Sequence, residues 1–213
     1  MQIGHDGDRS WWAAADIPYR GNRTYLHGTD LYTAATAIAT HAAGSRALAR
    51  LDVRFPRFTR NAGTFRMTSG ETDRATLQKS PVRIQAVTGD GVTLSGWYDE
   101  SDEPARLRNE NFEAAIVAAT QIEGDTARYA GDQAPPTIEI IVFLTKTLLL
   151  KKFPDGPGKW VFTALRSDGI IGADNPCDIN VTLINAIGDR AASCAVMCGD
   201  EAIGDIYFGR AEE

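Results

Sequence analysis

Twice along this 213-residue chain, a small-residue helix pattern is followed by a run of strand patterns. The first instance opens at His27-Gly28 with Thr29-Asp30, residue types that cap a helix and charge its first turn. Leu31, Ala34, Ala35, Ile38 and Ala42 then recur at helical spacing, and Gly44 marks a stop, which predicts a helix of about four turns. Behind it, residues 50–60 alternate apolar and charged side chains, residues 63–68 read as another strand, and residues 82–97 read as a hairpin turned at Gly89-Asp90-Gly91. The acidic stretch over residues 99–104 reads as an exposed connection. The order then returns. Residues 109–121 predict a second helix with Phe112, Ala115, Ile116 and Ala119 on one face. A long strand is expected over residues 138–150, another over 159–165, and a closing hairpin over 179–196 turned at Gly188-Asp189.

One sheet packed on one helix leaves an apolar edge that a second copy of the unit can cover. The expected fold is therefore α+β: two helix-plus-antiparallel-meander units, residues 1–100 and 101–213, forming one continuous sheet wrapped around two central helices. The 43% apolar content is enough for such a core. The opening segment, with Trp11-Trp12, is expected to add a leading strand or lid.

Charge and composition narrow the function. The net charge is -6 and the basic residues are scattered, so no stripe is suited to tracking phosphates and nucleic acid is not an expected partner. The longest apolar run, residues 138–150, is interrupted by Glu139 and Lys146 and is too short to cross a bilayer, so no membrane span is expected. The first residues lack a basic region and an apolar core of the secretory kind, which places the expected site of action in the cytoplasm. Three cysteines, Cys177, Cys194 and Cys198, then read as reduced thiols, and the Cys194–Cys198 pair lies in a strand pattern with no histidine nearby to complete a metal site.

The order of elements, His27-Gly28 directly before a helix, the strand Leu51-Asp52-Val53-Arg54-Phe55-Pro56-Arg57 and the two closing hairpins together resemble the hotdog fold in its doubled form. Hotdog thioesterases of the His-Gly-Gly kind carry a second glycine where Thr29 stands, and no acidic residue follows among Ala34 to Ile38. The double-hotdog dehydratases of polyketide synthesis are more similar in placement. They take a histidine from the first unit and an acid from the second unit's helix, and the segment Asn111-Phe112-Glu113-Ala114-Ala115-Ile116 resembles the one that carries the acid.

The resemblance implies catalysis by His27 and Glu113 on an acyl thioester. A neutral imidazole accepts a proton near pH 7, and a carboxyl group buried among alanines stays protonated and donates one. Backbone N–H groups of Gly28 and Thr29 at the helix start would polarise the thioester carbonyl, while Tyr25 and Tyr32 flank His27 and would orient substrate. Asp30 reads as a helix-start acid. The second helix pattern is preceded by Arg106-Leu107-Arg108 where the first has Leu26-His27-Gly28, which implies one active site per chain, with Arg106 and Arg108 as candidates for a carrier phosphate. No cofactor beyond substrate-borne coenzyme A or phosphopantetheine is implied. The expected partner is acyl-CoA or an acyl carrier protein, and exposed sheet edges would permit a homo-oligomer. The same residues would also serve a thioesterase, and a non-catalytic acyl-binding or scaffold protein would keep the fold without the chemistry.

Overall fold

Sixteen residues with a stripe of alanines make the first long helix, α1 (Gly28–Ala43), close to the expected boundaries. Gly44 ends it: its φ of 66° lies in the left-handed region, and its N–H returns to the His41 carbonyl at 3.1 Å. The computed structural model describes residues 1–7, 9–70, 72–105, 108–109, 112–171 and 178–211. They divide into two compact units, Met1–Asn111 with Asp168–Ile170, and Phe112–Ser167 with Ile171–Glu213.

The first unit adds strands β1 (Gln2–His5), β2 (Ser10–Ala15), β3 (Tyr19–Arg20), β4 (Leu48–Arg54) and β5 (Asn61–Thr68). A short helix α2 (Arg74–Lys79) follows, then β6 (Arg83–Thr88), β7 (Thr93–Pro104) and β8 (Arg108–Asn109). Its sheet runs β1-β2-β5-β7-β6-β4 with every neighbour antiparallel, while β3 and β8 form a separate parallel pair. Alternation in the strands does what period two requires. Leu51, Val53, Phe65, Met67, Ile84, Ala86 and Leu94 are buried, and α1 packs against β2, β4, β5, β6 and β7 with Leu31, Ala35, Ile38, Ala39 and Ala42 buried. The opening segment is a hairpin on the β5 side. Trp12 lies so close over Gly4 that a side chain at that glycine would collide with the indole.

The second unit holds α3 (Glu113–Ala118), β9 (Thr120–Glu123), β10 (Thr126–Tyr129), α4 (Thr137–Lys152), β11 (Lys159–Ser167), β12 (Ile179–Ile187), β13 (Ala191–Cys198) and β14 (Glu201–Ala211). Its sheet runs β11-β14-β13-β12-β10-β9, again antiparallel throughout. Two sequence expectations are corrected here. The segment over residues 138–150 is a helix, not a strand, and the helix expected over residues 109–121 shrinks to the six residues of α3 before the chain turns into β9.

Both errors have a physical cause. Helix α4 packs against α3 and against β9 to β14, and eleven of its sixteen residues are buried, from Thr137 to Leu149. A helix covered nearly all round has no polar face, so its sequence shows no 3.6-residue period, and β-branched residues such as Ile138, Ile140, Ile141 and Val142 lend it a strand's composition. Its length was the deciding signal, since strands seldom run to thirteen residues. In α3 only Ile116 is buried, and Phe112 is exposed. The small residues around Ile116 have no sheet to enclose them.

The cysteines are divided. Cys194 is a buried free thiol whose pKa burial pushes up to about 12, in keeping with a core thiol. Cys198 is disulfide-bonded, which corrects the expectation of three reduced thiols, and Cys177 lies outside the described residues.

In the first unit one carboxylate ties two neighbouring strands to the loop before them. Glu100 on β7 accepts hydrogen bonds from the backbone N–H groups of Arg60 (2.7 Å) and Asn61 (3.0 Å) and from Arg57 Nη1 (2.8 Å). Desolvation pushes its pKa up, but these donors outweigh it and hold the carboxyl below its usual range. A depressed carboxylate contributes stability above its unfolded-state pKa and loses it as pH falls through the folded value. The Glu100→Gln variant is therefore expected to be less stable than the parent by ~1–2 kcal/mol at pH 7 in urea unfolding, with the gap closing below about pH 4. A gap independent of pH between 7 and 3 would refute this account.

Candidate active site

The start of α1 is where the sequence-derived residues collect. His27 occupies the N-cap position with extended backbone (φ -77°, ψ 137°), and its carbonyl accepts the N–H groups of Asp30 and Leu31, each at 3.1 Å. Its side chain is not used as a cap. Instead Nδ1 is hydrogen-bonded to the Thr29 hydroxyl at 2.7 Å, which helps to fix the ring's orientation. The N–H groups of Gly28 and Thr29, first and second in the helix, have no hydrogen-bond acceptor among the described residues, as the first turn of any helix requires unless a side chain or ligand supplies one. Thr29 is buried, so these donors stand next to a wall of protein and not in bulk water.

Tyr25 and Tyr32 have different surroundings. The Tyr25 ring packs on Phe58 with centroids 4.9 Å apart, and Tyr32 is buried in the core on α1. Asp30 has a partner that sequence reading did not identify. Arg20, at the end of β3 and itself buried, donates from Nε (2.7 Å) and Nη2 (2.5 Å) to the two carboxylate oxygens of Asp30. This fork-to-fork pairing fastens the segment before His27 onto the first turn of α1.

Glu113 lies elsewhere than expected. It begins the short α3, not a central helix, and its Oε1 accepts from Lys146 Nζ at 2.5 Å, linking α3 to α4. The carboxyl group expected to sit neutral among alanines is a partly exposed member of an ion pair. Arg106 lies outside the described residues, and Arg108 contributes backbone pairing to Tyr19 in the β3–β8 pair.

Glu139 is a buried carboxylate that sequence reading did not single out. It sits in the first turn of α4, 1% exposed, where the helix's free N–H groups favour a negative charge. Its signal was available. It is the acid that breaks the longest apolar run, and once that run is a helix, a buried carboxylate on it is costly enough to need a reason. Among the described residues no group of three or more His, Cys, Asp or Glu could hold a metal ion, and no helix is long and apolar enough to cross a membrane.

No family profile matches the sequence, and no characterised protein matches it by sequence. Structures do match. A protein assigned as thioesterase II from Thermobifida fusca YX aligns with a TM-score of 0.50 and 12% identity, covering 99% of this chain and 96% of that one. The fold is a double hotdog. The dehydratase domain of PpsC from Mycobacterium tuberculosis, solved with C12:1-CoA, aligns at TM-score 0.49 and 12% identity over 99% of this chain and 97% of that one. A bifunctional dehydratase-cyclase domain of ambruticin biosynthesis gives 0.49 and 13% over 100% and 95%. Within the hotdog frame, α1 and α4 are the long helices, each packed on the strands of its own unit, and α3 is a short helix beside α4.

The Arg20–Asp30 pair is well shielded, with side-chain exposures of 9% and 18%. By contrast, the Lys152–Asp125 contact joins groups that are 32% and 61% exposed. Partly buried pairs are expensive to break, whereas exposed ones contribute little. In parallel urea titrations, Asp30→Asn is expected to lower stability by about 2 kcal/mol and Asp125→Asn by less than ~0.5 kcal/mol. Equal losses would mean that the Arg20 fork does not anchor the start of α1.

Proposed function

We propose that this hotdog protein is a dehydratase-type enzyme that acts on 3-hydroxyacyl thioesters of coenzyme A or an acyl carrier protein. The observation that carries the reading is the start of α1: two backbone N–H groups without an acceptor among the described residues, directly beside an imidazole oriented through its other nitrogen. The N–H groups of Gly28 and Thr29 bind the thioester carbonyl oxygen and stabilise the negative charge that develops there. His27 Nε2 takes the proton from the carbon next to that carbonyl.

The electron pair released forms the new carbon–carbon double bond, and the hydroxyl on the neighbouring carbon leaves with a proton as water. The products are a 2-enoyl thioester and water. That proton comes from an acid, which the dehydratase resemblance draws from the second unit's helix. With α4 as that helix, the role goes to Glu139. Glu113, whose carboxylate is held by Lys146, is left as the second candidate. Tyr25, packed on Phe58, and Tyr32, buried on α1, flank His27 in sequence and orient the substrate.

Purified protein incubated with 3-hydroxyacyl and saturated acyl coenzyme A thioesters of several chain lengths, followed for enoyl absorbance and free thiol together, tests this. Enoyl product is expected, reduced at least ~100-fold in His27→Ala. Glu139→Gln is expected to lower kcat by a similar factor, while Glu113→Gln keeps most of the rate. Reversal of the last two returns the acid to Glu113. Thiol release without enoyl product would make the chain a thioesterase, and neither signal at high enzyme concentration would leave a non-catalytic acyl-binding protein.

A further inference from the structure

A second site is visible on the first unit, away from α1. Strands β4 and β6 pair so that Asp52 faces Gln85 and, two residues on, Arg54 faces Arg83 directly. Val53 and Ile84, between these pairs, are buried, so the arginine pair stands on the opposite face of the sheet from the core. Helix α2 closes one side of that face, and together they line a groove of about 260 Å³ to which Arg54, Arg74 and Arg83 all contribute.

Two placements here work against local stability. Like charges directly opposite on neighbouring strands repel, which is the situation of Arg54 and Arg83. Arg74 is the first residue of α2, the end at which a helix favours an anion over a cation. Asp52 relieves part of this by pairing with Arg54 at 2.7 Å. Arg74 and Arg83 have no carboxylate within ion-pair distance among the described residues. Three guanidinium groups against one carboxylate thus face one groove in a chain whose net charge is -6. Arg83 is also held in place: Nη2 donates to the Gln78 carbonyl at 3.0 Å, and Nε is buried, so little side-chain freedom is lost when an anion arrives.

We propose that this groove binds a phosphoryl group. Guanidinium forks match phosphate oxygens in pairs, and the exposed amides of Gln78 and Gln85 can donate to the remaining ones. Its volume is below the ~300–1,000 Å³ of sites that enclose whole drug-sized ligands, so it takes a phosphate and the sugar or stem bearing it, not a complete cofactor. The source is either a nucleotide phosphate, such as the 3′-phosphate of coenzyme A, or a free phosphorylated metabolite. Either arises without thioester chemistry at His27, so this binding and the dehydratase activity succeed or fail separately.

The test is thermal denaturation and isothermal titration of the full chain with inorganic phosphate, adenosine 3′,5′-bisphosphate and coenzyme A. Ionic strength is held constant with sodium chloride, and Arg74→Gln and Arg83→Gln are measured beside the parent. Phosphate-bearing probes are expected to raise Tm of the parent, with affinity reduced about tenfold in each variant. Arg74→Gln alone should melt at or slightly above the parent temperature, because it removes a misplaced charge. Adenosine bisphosphate binding at least tenfold tighter than phosphate supports the nucleotide source, and equal binding supports the free metabolite. No binding of any probe, or binding unchanged in both variants with native circular dichroism, overturns the proposal.

Discussion

Burial of a long helix against one face of an antiparallel sheet is the interaction on which each half of this chain depends, and the two halves solve it with different residues. In the first unit α1 brings alanines to the sheet, so its backbone approaches closely and contributes little side-chain area of its own. In the second unit α4 brings isoleucine, leucine and phenylalanine and is covered on most of its circumference. The first arrangement places a helix start, with its free N–H groups, against protein. The second places a carboxylate there. Both are consequences of where a helix must begin in order to span its sheet, and both put polar groups where water is scarce and electrostatic effects are large.

How much of this was legible follows from which residues had an exposed face to contrast with a buried one. Helix α1 keeps Asp30, Thr33 and Thr40 on the side away from Ala35 and Ile38, so its period could be read, as could its start at His27-Gly28 and its stop at Gly44. Both closing hairpins were legible because their turns carry glycines with positive φ, Gly91 at 86° and Gly188 at 54°. Helix α4 was not, because burial on nearly all sides erases the period. That one misreading also hid the burial of Glu139, which a strand pattern would have left on an alternating face. The Arg20–Asp30 fork was also beyond reach, since it joins residues ten apart through a two-residue strand that no pattern announces.

Charge in this protein is organised at two levels. The overall excess is acidic, and four of its carboxylates have defined partners: Asp30 with Arg20, Asp52 with Arg54, Glu100 with Arg57 and two backbone groups, and Glu113 with Lys146. Such pairs fasten loops and short elements to their neighbours within each unit. Against that background, Arg83 on β6 and Arg74 on α2 stand out as cations that face one groove with no carboxylate in ion-pair distance among the described residues.

Helix α4 has one further consequence, for the order in which the chain is made. Its sixteen residues leave the ribosome before any of β11 to β14, four of the six strands that cover it. Until roughly 60 more residues have been added, on the order of 3–12 s of synthesis, the most apolar helix of the nascent chain has only α3, β9 and β10 of its own unit to lie against. In the first unit α1 likewise precedes β4 to β7, but its buried face is largely alanine, so the exposure of large apolar side chains during synthesis falls mainly on α4. A helper that shields apolar helices would act on this protein through α4.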